Sequence, residues 1–236
     1  MAGACRIAAE TLKLVCDMAR PGIKTLNLNR AAEAYIIEKG AKPAFKGYRG
    51  YPATLCVSVN EGVIHGIPNS RALKDGDVLS VDVGVLIDGF YGDSARTVII
   101  GEGTAETIRL VEVTHAALHA GLGQAVAGNR LSDISSAIQQ VVESNGFSVV
   151  RDFVGHGIGR RLHEDPQIPN YGKPGKGPLL KAGMTFAIEP MVNTGSADVR
   201  ILPDRWTAVT VDGKPSAHFE HTVAVTENSP NILTKL

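Results

Sequence analysis

The feature that most limits how this chain can fold is a repeat that carries two carboxylates. Leu73-Lys74-Asp75-Gly76 leads to Asp82 and Leu180-Lys181-Ala182-Gly183 leads to Glu189, so position 73 recurs at 180 and position 82 at 189, one offset of 107. The segments before them, Pro21-Gly22 to Gly40 and Ala127-Gly128 to Gly146, echo each other one residue off that offset. At 236 residues the chain is expected to be a single domain, 1–236, of two pseudo-repeats spanning roughly 1–103 and 104–236. Equivalent strands meeting across a pseudo-twofold axis bring their acids together. A site belongs at that axis.

Hydrophobic spacing predicts amphipathic helices over 4–19 and 27–39, and again from about 104 to 127 and from 132 to 145. Between and after them the texture is β-branched and broken by Gly, Asp and Pro, which predicts strands. The order helices, strands, helices, strands predicts an α/β fold of the α+β kind.

The clearest pair of strands is Val78 to Ile87 and Phe90 to Ile100, joined by Asp88-Gly89, a two-residue hairpin signal. With that turn Ile87 faces Phe90, Gly84 pairs with Asp93, and Asp82 pairs with Ala95, so both aspartates share one face. Their backbones are then diagonal neighbours about 7–8 Å apart, near enough for the side chains to converge. Gly84 and Ala95 leave room beside them, and Val81, Val83, Val85, Ile87 and Phe90 form the core face. In the second half Glu189 shares a face with Ala187, away from Phe186 and Ile188. Glu220 shares one with His218 and Thr222, away from Phe219, His221, Val223 and Val225. Two like charges 4 Å apart repel by about 4 kcal/mol at an effective dielectric of 20, and two divalent cations would balance four such acids.

His156 is the candidate nitrogen ligand, because the glycines of Val154-Gly155-His156-Gly157-Ile158-Gly159 let the backbone pack closely around it. One imidazole with four carboxylates suits manganese, iron or cobalt, and also accepts zinc. His115 and His119, at i and i+4 on a helix, lack a third ligand and read as an ordinary helix face. His221 reads as packing, His65 as undecided, and the basic segments Lys42 to Lys46 and Lys173 to Lys181 as solvated loops. The 24 basic and 24 acidic residues cancel, which removes any general field toward nucleic acid or an anionic membrane. Three cysteines, Cys5, Cys16 and Cys56, without metal-type spacing, and charges that interrupt every early apolar run, predict a soluble protein of the cytoplasm.

Taken together these residues resemble the type I methionine aminopeptidases over nearly the whole chain. The resemblance is carried by Asn60-Glu-Gly-Val-Ile-His-Gly-Ile-Pro68, by Asp82 through Asp88-Gly-Phe-Tyr-Gly-Asp93, by the Gly-His-Gly-Ile-Gly around His156, and by His163-Glu-Asp-Pro, Ile188-Glu-Pro and Glu220-His-Thr. It implies the "pita-bread" fold with internal pseudo-twofold symmetry. Two divalent ions (cobalt, manganese, iron or zinc) would be held by Asp82, Asp93, His156, Glu189 and Glu220, with Asp93 and Glu220 bridging. It also implies hydrolysis by a water held between the ions, Glu189 as proton shuttle, His163 stabilising the oxyanion, and His65 contacting the scissile amide. Tyr51, Cys56, Trp206 and Leu162 would line the methionine pocket. Leu162 stands where relatives can carry phenylalanine and Arg49 where histidine can occur, which bears on pocket shape.

The implied substrates are nascent chains and peptides starting with methionine followed by a small residue. The family expectation adds the ribosome as a partner and a monomeric state, with no membrane and no nucleic-acid site. An aminopeptidase P or prolidase, which usually carries a further N-terminal domain, is the nearest rival. A non-catalytic binding protein of the same fold would be expected to have lost ligands.

Overall fold

The computed structural model describes residues 1–236. Each half opens with two helices that bury one stripe. Helix α1 (Ala2–Met18) buries Ala4, Ile7, Ala8, Leu12 and Val15, and α2 (Thr25–Glu38) buries Leu28, Ala32 and Ile36. In the second half α3 (Ala105–Gly123) buries Leu110, Ala117, Leu118 and Leu122, and α4 (Leu131–Ser144) buries Ile134, Ile138 and Val142. Their starts are locally encoded. The Thr107 N–H donates to the Thr104 hydroxyl, and the Arg130 N–H donates to the Asp133 carboxylate at 2.7 Å. Helix α3 stops at Gly123, short of the expected 127, because the Ala127 N–H donates to Thr226 and the Gly128 N–H to Leu180. Tertiary backbone pairing claims the segment that its spacing would have allowed to stay helical.

The strands that matter for the site are β1 (Leu55–Val59), β2 (Val78–Ile87), β3 (Phe90–Ile99), β4 (Gly155–Gly157), β5 (Glu164–Ile168), β6 (Thr185–Ile188) and β7 (Glu220–Ala224). They belong to one nine-stranded antiparallel sheet whose path runs Lys42–Pro43, β2, β3, β7, β6, β4, β5, with β1 also on β2 and Asn231–Ile232 on β7. The hairpin has the expected register, with Gly84 opposite Asp93, Asp82 opposite Ala95, and Asp88 and Gly89 both at positive φ in the turn. The strand expected from His218 to Val225 is broken at Phe219. His218 pairs with Met191 in a separate three-stranded sheet, while Glu220 pairs with Ala95.

The two helix pairs are anchored by similar backbone hydrogen bonds. Gly22 N–H donates to Leu73 and Gly128 N–H to Leu180, at 2.8 and 3.1 Å, so each segment before a second helix is tied to its half's leucine. The helices cover one face of the sheet. One apolar core lies between α1, α2 and the Val81, Val83 and Val85 face of β2, and another between α3, α4 and Phe186, Ile188 and Val223. By strand alternation the acids point to the opposite face, where a third cluster holds Phe45, Tyr51, Cys56, Leu162 and Ala187. The space beside Gly84 is therefore not open. A Cβ there would sit 2.5 Å from the Phe45 ring. No helix is long and apolar enough to cross a membrane.

Candidate metal centre

Five side chains from both halves meet on that acidic face. Asp82 comes from β2, Asp93 from β3, His156 from β4 and Glu220 from the first position of β7, and Glu189 follows the last residue of β6. All five are buried, between 2% and 7% exposed. Glu189 ends its strand because Pro190 cannot donate to a ladder; its carbonyl accepts instead from Asn170 Nδ2 at 3.0 Å. Donor atoms of Asp93, His156 and Glu220 all lie within 4.8 Å of one another.

The chemistry of these groups fits a cation. His156 Nδ1 is 2.9 Å from the Gly157 carbonyl, and a carbonyl only accepts, so the ring proton is on Nδ1 and Nε2 carries a lone pair. That Nε2 is 3.5 Å from Glu189 Oε1. Oδ1 of Asp82 and Oδ1 of Asp93 are buried with no hydrogen-bond partner. Burial, then the charges of Asp93 and Glu189, drive Asp82 well above the usual carboxylate range. Burial does the same to Glu189 and Glu220, with Asp93 adding to both. Asp93 is pushed by burial up to about 7, against a hydrogen bond with Asp82 that lowers it. Four acids forced toward their protonated forms around a neutral imidazole form a site whose charge balance favours divalent ions.

One cavity brings the remaining candidates to these acids. His65, His163, Tyr51, Cys56, Trp206, Leu162 and Arg49 all line it, together with Asp82, Asp93, His156, Glu189 and Glu220. Cys56 pairs across strands with Asp82. Tyr51 is pinned by its hydroxyl, which donates toward the carbonyls of Leu55 and Gly66, and packs edge-on against Trp206 at 5.1 Å. His65 has positive φ (59°) just after the Gly62–Ile64 strand, and burial followed by the nearby His163 holds its imidazole down at about 4. His163 stands at the mouth, its ring centroid 4.3 Å from that of His156. Desolvation, His156 and Arg49 hold it at about 4.

The sequence pattern of metallopeptidase family M24 matches residues 1–227. The chain is 56% identical to the methionine aminopeptidase of Clostridium perfringens over 229 residues, covering 97% of this chain and 92% of that protein. The chain belongs to the methionine aminopeptidases of family M24. Its similarity extends to methionine aminopeptidase 1 of Bacillus subtilis, at 54% identity over 98% of this chain and 93% of that one. The crystal structure of the methionine aminopeptidase from Thermotoga maritima superposes with a TM-score of 0.99 at 49% identity, covering 100% of this chain and 95% of that one. The prolidase of Pyrococcus furiosus shares the fold alone, with a TM-score of 0.79 at 23% identity, and this chain spans 62% of it. The fold is thus the pita-bread fold, and the activity is that of a metal-dependent methionyl aminopeptidase.

For this family member, sequence reasoning missed part of the wall. Phe45, Tyr48 and Ile64 also line the cavity, and Phe45 and Tyr48 belong to or adjoin the basic segment read as a solvated loop. Phe45 is 8% exposed, and the Tyr48 hydroxyl meets His163 Nδ1 at 2.9 Å. The signal was the aromatic run Phe45, Tyr48, Tyr51. His115 and His119 lie outside the cavity, exposed, their Nε2 atoms 3.2 Å apart.

Proposed function

We propose that the chain is one catalytic domain of two pseudo-repeats that holds two divalent ions at their junction and removes methionine from peptide N-termini. The observation that carries this is the donor cluster of Asp93, His156 and Glu220, flanked by the unpaired oxygens of Asp82 and Asp93. In this reading Asp82, Asp93, His156, Glu189 and Glu220 would hold the ions. The donor set suits cobalt, manganese or iron, and also zinc. When bound, the ions supply Lewis acidity toward the peptide carbonyl and lower the pKa of the attacking water.

The chain's own residues do the rest. Glu189 takes the proton from the nucleophile and delivers it to the leaving amine. His163, its Nδ1 held by Tyr48, donates from Nε2 to the developing oxyanion. His65 donates to the scissile amide. Both imidazoles, with values near 4, are neutral donors at pH 7. The free substrate α-amine would bind near Asp82, which restricts action to N-termini. Tyr51, Cys56, Leu162 and Trp206 enclose the methionine side chain, with Phe45 behind them. The proposed substrates are nascent chains and peptides with a small second residue, met by a monomer in the cytoplasm as they leave the ribosome.

The test is cleavage of Met-Ala-Ser and Met-Lys-Ser by metal-reconstituted protein, with bound metal counted in parallel. Release of methionine from Met-Ala-Ser alone, at two ions per chain, supports the reading. A strong preference for X-Pro substrates, or full activity at one ion with no second site, overturns it.

A further inference from the structure

The Glu189 carboxylate lies between two imidazoles, and they present different faces to it. His156 Nε2 approaches Oε1 at 3.5 Å with its lone pair, because its Nδ1 donates to Gly157. His218 Nε2 approaches Oε2 at 3.6 Å from the other side. His218 is 1% exposed, does not line the cavity, and its Nε2 has no other partner. A buried ring nitrogen is seldom left unpaired, and Glu189 Oε2 is the acceptor in reach. The backbone that carries the ring is fixed, since the His218 backbone N–H donates to the Thr97 hydroxyl at 2.9 Å and that hydroxyl donates back to the His218 carbonyl at 2.7 Å.

We propose that His218 is a positioning residue for Glu189: its Nε2–H holds Oε2, leaving Oε1 as the one oxygen that faces the ion and the reacting proton. The inference rests on Glu189 being a metal ligand, as proposed above. It makes the break in the strand at Phe219 functional. His218 belongs to a different sheet from Glu220, so one short segment both supplies a ligand and braces another from behind. Partners that orient a ligand in this way commonly govern metal affinity by about 10–100-fold.

Cobalt(II) titration of the metal-stripped protein, read by visible absorption and calorimetry, tests this with His218→Gln, His218→Asn and Glu189→Gln. Gln carries a donor long enough to reach Oε2, and Asn carries one too short. H218N is expected to bind one cobalt about 10–100-fold more weakly with an altered visible spectrum, and H218Q to stay within about threefold of the parent. The melting temperature of the stripped proteins separates a folding defect, which treats Gln and Asn alike, from loss of the contact, which divides them. H218N binding cobalt like the parent, or H218Q as weakly as H218N, overturns the role of His218. If E189Q itself binds both ions unchanged, the ligand reading of Glu189 falls instead.

Discussion

A carboxylate buried among other carboxylates can keep a proton or bind a cation. Asp93 and Glu220 face that choice most acutely, at 3% and 2% exposure in the middle of the group. Asp93→Asn and Glu220→Gln preserve shape and remove a charge. Each is expected to lower kcat/KM on Met-Ala-Ser by at least about 10³-fold, corresponding to about 4 kcal/mol of transition-state stabilisation, and to reduce bound metal measured by atomic emission. His163→Ala leaves the ligands alone. It is expected to reduce kcat by about 10²–10³-fold with little change in KM, as loss of a donor used only in the transition state should. Near-parental kcat in that variant would remove His163 from the oxyanion role.

At the scale of elements, the site depends on how closely α1 lies on the hairpin. Gly92 of β3 makes that approach possible, because a Cβ there would meet the Cys5 nitrogen at 2.5 Å and the Ala4 carbonyl carbon at 2.7 Å. These are backbone atoms and cannot turn aside. Gly92→Ala is expected to cost about 1–3 kcal/mol by overpacking and to lower the melting temperature by roughly 2–12 °C, followed by circular dichroism. Parental melting would mean that α1 shifts freely on the sheet. Asp93 is the next residue along, so activity should fall with the same change.

Over the whole molecule, both halves supply the proposed ligands, so on this assignment metal binding and folding are linked. In the metal-free protein the raised acids, Asp93 at about 7 and Asp82, Glu189 and Glu220 above the usual range, bind more protons folded than unfolded. Their contribution to stability is therefore complete below about pH 4, the unfolded value, and is lost as pH rises through the folded values. In the proposed site, ions would replace those protons. The difference in melting temperature between metal-loaded and chelator-treated protein should accordingly widen from pH 5.5 to pH 7.5, by differential scanning fluorimetry. A constant or shrinking difference would mean that these acids do not hold the metal.

What the sequence determined is what depends on alternation and local turn chemistry. The Asp88-Gly89 turn has one register, that register puts Asp82 and Asp93 on one face, and the repeat adds Glu189 from the other half. Helix stripes and two of the helix starts were legible for the same reason. The α/β class came from spacing, but the pita-bread fold, the methionyl activity and the proposed roles of His65 and His163 were legible only through family resemblance, since neither histidine has a local pattern that marks it. Only the tertiary structure decided where distant backbones meet. It ended α3 at Gly123, filled the gap at Gly84 with Phe45, turned Tyr48 onto His163, and split the strand at Phe219 so that His218 backs Glu189. Those outcomes follow from packing between segments far apart in the chain, which no local spacing encodes.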